Sequence, residues 1–367
     1  MDTEPITASS LGRTYMINAD TLEHAYKNVL SDYQDWELQG KAIECILRPD
    51  NMGEELGIDE TSLGDDVRII LHNKDGHGRK GTIVAIITGL NTENAISHLK
   101  DLPQDARKKV TSVTMDLSDT MSDIVKAVFP NAMIVRDCFH VVRRATEASE
   151  EIRMKCKREA GKELKKQMVE HKKHLEELSK KRTWYKKHIE AKRKEAGKPI
   201  HCKGRKRGRK PMRLNAKFIP PKLSNGETLT EALTRCRDQL RVSRNKWNPT
   251  QEARGKILFK RYPKLEESYN MTQSLRSVFR DKTLVRDTAK TKLENWYNKA
   301  TECTLREVKS VRDTIKFYEE EILNYFIAWQ TNASAESLNS KIKRFWAQLK
   351  GVKDVSFFFY RVVTIFG

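Results

Sequence analysis

Three acidic residues stand where predicted elements would bring their carboxylates together. Asp59 and Asp116 each follow a short apolar run that is typical of a β-strand, and Glu336 lies at the start of a predicted helix. Neighbouring strands would place the two aspartates within bridging distance of a divalent ion, and Mg²⁺ and Mn²⁺ prefer such hard oxygen ligands. Two ions held roughly 3.5–4 Å apart can activate an attacking hydroxyl and stabilise a leaving oxygen. The pattern therefore predicts two-metal phosphoryl transfer on a phosphodiester.

The helix that would carry Glu336 has an apolar stripe and a polar side. The stripe has helical spacing and consists of Leu338, Ile342, Phe345 and Leu349. The polar side consists of Glu336, Asn339, Ser340 and Lys343. We expect nucleic-acid contacts from Asn339, Lys341, Lys343 and Arg344. Spacing alone favours a plain solvated face for Glu336, and a metal ligand is the alternative.

Asp137 and His140 directly follow another predicted strand. Their spacing at a strand-to-helix junction would place both side chains near the same edge of the sheet. They would then support the metal site or position the nucleic-acid strand. The alternative is an aspartate that caps the helix and a histidine with a structural hydrogen bond. The sequence leaves both interpretations open.

The chain is strongly basic, and the charge is concentrated in one region. The 367 residues carry a formal net charge of +20. The stretch 153–217 holds 26 lysines and arginines against seven acidic residues, which accounts for nearly all of that net charge. Such an excess indicates a polyanionic partner, although a generally adhesive basic protein has the same composition. A catalytic domain interrupted by a basic segment describes the chain better than a uniformly basic protein.

The most compact cationic run lies near residue 205. Its Arg-Gly-Arg-Lys-Pro core resembles a motif that enters narrow A·T minor grooves, but basic linkers often look the same. Non-specific phosphate binding is the prediction we make for it. The residues concerned are Lys203, Arg205, Lys206, Arg207, Arg209 and Lys210.

The six cysteines are scattered and form no CxxC pair, which argues against a zinc module and a disulfide framework. The polar, acidic start is unlike a signal peptide, and no uncharged apolar run approaches the roughly 18 residues of a membrane span. We therefore expect a cytoplasmic protein in a reducing compartment.

Five short runs rich in Ile, Val and Leu predict β-strands, at Leu56–Thr61, Val67–His72, Thr82–Gly89, Lys109–Met115 and Ala132–Asp137. Helices are predicted at Thr92–Lys100, with Asn91 as N-cap, and at Met121–Val128. The order is β-β-β-α-β-α-β, which is the order of RNase H-like folds. We therefore expect an α/β protein with an RNase H-like, mixed five-stranded sheet and flanking helices.

A large all-α insertion is predicted between the fifth strand and the Glu336 helix. Near its end Val308–Trp329 has the pattern of one helix, and Asn332–Lys350 is the last clear helix. The predicted organisation has four segments. These are an N-terminal helical or extended region (1–53), the first part of the catalytic core with both aspartates (54–145), a helical insertion with the basic stretch 153–217 (146–325), and the last part of the core with the glutamate helix (326–367).

Four stretches of the chain resemble the DDE transposases of bacterial insertion sequences, specifically the ISL-three family. They are Gly57–Thr61, Val113–Asp116, Phe129–Ala132 with Asp137–Val141, and Thr331–Asn339 continuing to Val352. Each is short, but their order and spacing together are specific, and the resemblance runs from about Gly57 to the C-terminus.

The resemblance implies a metal-dependent DNA transposase of a bacterial mobile element, associated with the nucleoid and built on an RNase H-like core. It implies that Asp59, Asp116 and Glu336 form the catalytic triad and bind two Mg²⁺ or Mn²⁺ ions, with Asp137 and His140 supporting them. Double-stranded DNA would be the substrate, both as element ends and as target. A homo-oligomer is expected, because two ends must be cut and joined together.

The chain departs from the family pattern ahead of the core. Family members usually carry a Cys-rich zinc-binding region and a helix-turn-helix there, whereas about 55 residues with a single Cys precede Asp59. We expect either a separate upstream-encoded protein that recognises DNA ends or a truncated chain. Two other functions remain open, namely a nuclease that cuts without joining and a non-catalytic DNA-binding remnant.

Overall fold

The computed structural model describes residues 1–198 and 216–367. The cationic residues from Lys203 to Lys210, for which phosphate binding is predicted, lie outside the described residues. The described chain is a mixed α/β structure with one six-stranded sheet and a majority of helix.

The sheet has one more strand than the sequence predicts. Its strands are β1 (Cys45–Leu47), β2 (Glu55–Leu63), β3 (Asp66–Asn73), β4 (Ile83–Thr88), β5 (Ser112–Met115) and β6 (Met133–Arg136). They lie in the order β1-β4-β3-β2-β5-β6. The pairs β2–β5 and β5–β6 are parallel, and the others are antiparallel. All five predicted strands are present, but five was the wrong total, because a three-residue edge strand such as β1 is too short to show an alternating pattern.

The helices of the first half include those that flank the sheet. They are α1 (Ala8–Tyr15), α2 (Ala19–Ala25), α3 (Thr92–Lys100), α4 (Gln104–Lys109), α5 (Asp119–Val128) and α6 (Cys138–Glu195). Asn91 caps α3, as predicted, and its side chain accepts a hydrogen bond from the Asn94 amide. This bond satisfies one of the amides that a helix start leaves without an internal partner.

The later helices are α7 (Leu229–Gln239), α8 (Pro249–Arg261), α9 (Pro263–Arg280), α10 (Arg286–Glu302), α11 (Arg306–Phe317), α12 (Glu319–Leu323), α13 (Tyr325–Ala328), α14 (Ala333–Gln348) and α15 (Val355–Phe366). The prediction of one helix over Val308–Trp329 is wrong. That stretch contains α11, α12 and α13, and it ends in the left-handed conformation of Trp329. No helix of the described ranges is long and apolar enough to cross a membrane.

Each face of the sheet has its own apolar core, because successive strand residues point to opposite faces. Leu56 and Ile58 of β2 pack with Ile124 of α5 on one face. On the other face, Ile70 of β3 packs with Leu338 of α14 and with residues of α15. The apolar stripe predicted for the Glu336 helix is confirmed, with Leu338, Ile342 and Phe345 fully buried. This packing fixes α14 against the sheet.

The described chain divides into two compact units. The first comprises Met1–Ala145, Ser274–Glu302 and Lys309–Gly367, and it contains the whole sheet and α14. The second comprises Thr146–Gln273 and Cys303–Val308 and is helical. Within the second unit, buried Arg254 donates two hydrogen bonds to the carboxylate of buried Glu227, with N···O distances of 2.7 and 2.8 Å.

Candidate metal centre

Three aspartates stand in one row across three neighbouring strands. Gly57 of β2 pairs with Thr114 of β5, and Met115 of β5 pairs with Arg136 of β6. Continuing the first register by two residues and the second by one aligns Asp59, Asp116 and Asp137. Since β2, β5 and β6 run parallel, the three aspartates stand at one level of the sheet. Asp116 and Asp137 directly follow β5 and β6, whereas Asp59 lies in the middle of the longer β2 and does not follow its strand.

Asp59 is a partly buried carboxylate, and some of its neighbours raise its pKa while others lower it. Its pKa is raised to about 6 overall, mainly by burial and also by nearby Asp116, because two like charges repel. Hydrogen bonds from the Glu60 amide (2.9 Å) and the Asn339 side-chain amide (2.7 Å), together with His140, lower the pKa of Asp59. A divalent ion would remove the repulsion between these carboxylates, so the charge pattern suits a cation.

Asp137 and His140 are joined by a hydrogen bond between Oδ2 and Nδ1 at 3.1 Å. Asp137 is almost completely buried, and its other oxygen accepts a hydrogen bond from the Phe139 amide at 3.2 Å. The pKa of His140 is raised, first by the bond to Asp137 and further by the charges of Asp116 and Glu336. Both sequence interpretations therefore apply in part, since Asp137 supports the first turn of α6 and also orients an imidazole at the cluster.

Glu336 lies close to this pair although it belongs to a distant part of the sequence. It lies in the first turn of α14. A carboxylate oxygen of Glu336, a carboxylate oxygen of Asp137 and a ring nitrogen of His140 all lie within 4.8 Å of one another. Carboxylate oxygens with one imidazole nitrogen are a donor set that suits Mg²⁺ and, better, Mn²⁺. In this respect the residues present fit a divalent ion.

Arg136 is a buried residue of the site that the sequence analysis missed. It is 1 % exposed, and its guanidinium donates hydrogen bonds to the backbone carbonyls of Asp116 (2.7 Å) and Ser118 (2.9 Å) and to the Glu321 carboxylate (2.7 Å). These bonds hold the turn that carries Asp116. An arginine inside an apolar strand is the signal that could have identified it, because buried charges need partners.

The predicted nucleic-acid residues of α14 divide into three kinds. Asn339 is buried beside Leu338 and bonded to Asp59, so it is not on the outer face of the helix. Lys341 donates a hydrogen bond to the carbonyl of Gly78 in the β3–β4 hairpin at 2.9 Å. Lys343 and Arg344 are exposed. Of the four, the last two have the accessibility that a phosphate contact requires.

The comparisons with known proteins identify the class. A family model described as Transposase matches residues 56–362, a range that includes β2, all three aspartates, His140 and α14. The chain belongs to that family, the ISL-three group of DDE transposases, as its motifs indicated. Comparison with curated proteins and with solved structures gave no match.

Proposed function

We propose that this protein cuts DNA at the ends of an insertion sequence and joins those ends to target DNA, using an RNase H-like core and two divalent ions. The observation that carries the proposal is the row formed by Asp59, Asp116 and Asp137, with Glu336 beside it. Membership of the transposase family supports the same conclusion.

The proposed roles follow from position and chemistry. Asp59, Asp116 and Glu336 would hold the ions, which would be Mg²⁺ or Mn²⁺ and would supply Lewis acidity at the phosphodiester oxygens. Asp137 would orient His140 through the Nδ1 bond, and the His140 imidazole would add a further ligand next to Glu336. A water would attack the phosphodiester at an element end and free a 3′-hydroxyl, which would then attack the target strand. Catalysis would rest on positioning and charge neutralisation.

DNA is the proposed partner, as element ends and as target, and the setting would be a bacterial nucleoid. Exposed Lys343 and Arg344 follow Glu336 on the same helix and would contact phosphates. We further propose that the protein works as a homo-oligomer and that a separately encoded protein recognises the element ends. The second unit would be the family's helical insertion.

A cleavage and joining assay tests the proposal. The substrate is a plasmid carrying the DNA that flanks the gene, incubated with Mg²⁺ or Mn²⁺, with and without the product of any neighbouring upstream gene. Wild type is compared with Asp116→Asn and with Asp123→Asn, a matched control at an exposed aspartate of α5. Joined products that disappear only with Asp116→Asn are expected. Cleavage without joining would indicate a nuclease, and a lack of any metal-dependent activity would contradict the proposal.

A further inference from the structure

A polar row lies directly beneath the carboxylate row. His72 of β3 pairs with Gly57 of β2, and Gly57 pairs with Thr114 of β5, so the three stand at one level of the sheet. This level is two residues before that of Asp59 and Asp116. Because alternate strand residues share a face, the polar row and the carboxylate row face the same side of the sheet, towards α14.

The residues just before α14 and at its start form hydrogen bonds with this face of the sheet through every second side chain. The Ser112 hydroxyl donates to Gln330 Oε1 at 2.9 Å, and the single hydroxyl hydrogen of Thr114 is shared between Asn332 Oδ1 and the Leu56 carbonyl, each at 3.3 Å. His72 Nε2 lies 2.9 Å from the Ser334 hydroxyl. Three alternate side chains, those of Gln330, Asn332 and Ser334, thus match three polar groups on β3 and β5.

Five of these six groups are deeply buried and Ser334 is partly buried, so their pairing specifies one alignment. Asn332, Thr114 and His72 are fully buried, and Ser112 and Gln330 are nearly so. A shift by one residue would place Thr331, Ala333 and Ala335 against the sheet, and the two alanines cannot hydrogen-bond through their side chains. Buried polar groups without partners are unfavourable, so the observed alignment, which leaves Asn332 Nδ2 without a partner among the described residues but pairs the Ser112 and Thr114 hydroxyls, is preferred over its neighbours.

Gly57 provides the space for this arrangement. A Cβ built at Gly57 would clash with the His72 ring and would lie 3.1 Å from Asn332 Oδ1. The ring and the amide therefore pack directly over the glycine. The position requires a residue without a side chain because of this close approach.

We propose that Gln330, Asn332 and Ser334 are positioning residues that set the register of α14 and so hold Glu336 beside Asp137 and His140. A slip by one residue would move Glu336 about 1.5 Å along the helix and about 100° around it, which removes it from the cluster. The inference rests on the proposed metal-dependent function, since it assigns these residues a role in placing one ligand.

Mn²⁺ affinity of the full chain, measured by electron paramagnetic resonance of free Mn²⁺, tests the inference separately from catalysis. The variants are Asn332→Ala, Ser334→Ala and Thr114→Val, and Ser334→Thr restores the hydroxyl. The matched control is Thr61→Val, since Thr61 is also buried in the sheet but its hydroxyl has no hydrogen-bond partner among the described residues. Unfolding by urea is followed for each variant, so that Thr114→Val and Ser334→Ala carry the test if Asn332→Ala does not fold.

We expect the three variants to weaken Mn²⁺ binding by roughly 10–100-fold, as loss of outer support for metal ligands does. Ser334→Thr and Thr61→Val should stay within twofold of wild type. Lower stability with unchanged Mn²⁺ affinity would overturn the inference and leave only a packing role. Failure of the proposed function has a different signature. In that case wild type would show no Mn²⁺ binding that depends on Glu336, so wild type and Glu336→Gln would give the same result. That outcome would overturn the proposed function and this inference together.

Discussion

Asp59 and Asp116 stand side by side on parallel strands because the register of β2 and β5 matches their separation in the chain. They are 57 residues apart, as are the paired residues Glu55 and Ser112, and Gly57 and Thr114. The alignment brings two acidic groups to one level of the sheet, where the charge of Asp116 helps to raise the pKa of Asp59. The metal-free fold therefore holds its carboxylates together against their mutual repulsion.

Replacing Asp59 by Asn should stabilise the metal-free protein at pH 8. The pKa of Asp59 is about 6 in the fold against 3.8 for a free side chain, so the folded state binds the proton more tightly, and stability falls as pH rises from about 4 to 6. In EDTA, we expect the free energy of unfolding of Asp59→Asn to be about 1–3 kcal/mol higher than that of wild type. Urea denaturation checks this, with Glu60→Gln, at an exposed neighbour, as control. Equal or lower stability of Asp59→Asn would contradict the prediction.

Replacing Asn339 by Ala should shift the pH dependence of Mn²⁺ binding upwards. The Asn339 amide donates to the charged form of Asp59 and lowers its pKa, so its loss raises that pKa further. Because the ion needs the carboxylate, the pH midpoint of binding should rise by about 0.5–1 unit. A pH series of Mn²⁺ titrations measures the midpoint, with exposed Ser340→Ala as control. An unchanged or lower midpoint would count against the role of this bond.

His140 should act as a ligand to one ion through its imidazole. The ring lies in one group with Asp137 and Glu336, so pulsed electron paramagnetic resonance of bound Mn²⁺ should show coupling to a nitrogen nucleus. His140→Ala should remove that coupling. It should also weaken the binding of Mn²⁺ more than the binding of Mg²⁺, because imidazole is a softer ligand than carboxylate. His77→Gln, at an exposed histidine, serves as control. If wild type shows no nitrogen coupling, His140 supports the site only through Asp137.

Replacing Gly57 by Ala should destabilise the first unit. The added Cβ would clash with the His72 ring, which is itself fully buried and has little freedom to move. We expect a loss of roughly 1–3 kcal/mol in the free energy of unfolding, as for overpacked cores. Gly40→Ala is the matched control, because a Cβ there meets no atom within 4 Å. Equal unfolding curves for the two variants would show that the polar row adapts to the extra atom.

The Glu227–Arg254 pair should make the second unit sensitive to acid. Hydrogen bonds from Arg254, above all, lower the pKa of Glu227 to about 2, so the pair stabilises the fold above the ordinary pKa of 4.5 and this contribution is lost as pH falls towards 2. Glu227→Gln should cost about 3–5 kcal/mol at pH 7, since it leaves Arg254 buried without its partner charge.

Amide hydrogen exchange in α7 and α8 measures that loss locally. Glu252→Gln, which breaks a more exposed pair with Arg244, is the control and should change protection by about 1 kcal/mol or less. A similar effect of both substitutions would indicate that burial adds nothing to the Glu227 pair.

The local elements of this protein and its family membership follow from the amino-acid sequence alone. Apolar runs indicated the five longer strands, Asn91 indicated a helix start, and Asp116 was correctly placed after its strand, whereas Asp59 lies inside β2. The alignment of Asp137 with Asp59 and Asp116, the bonds from Arg136 to the Asp116 turn, and the contact between Asn332 and Thr114 are visible only in the folded chain. Periodicity reports neighbours a few residues away, whereas these relationships depend on strand register and on contacts between residues as much as 218 positions apart.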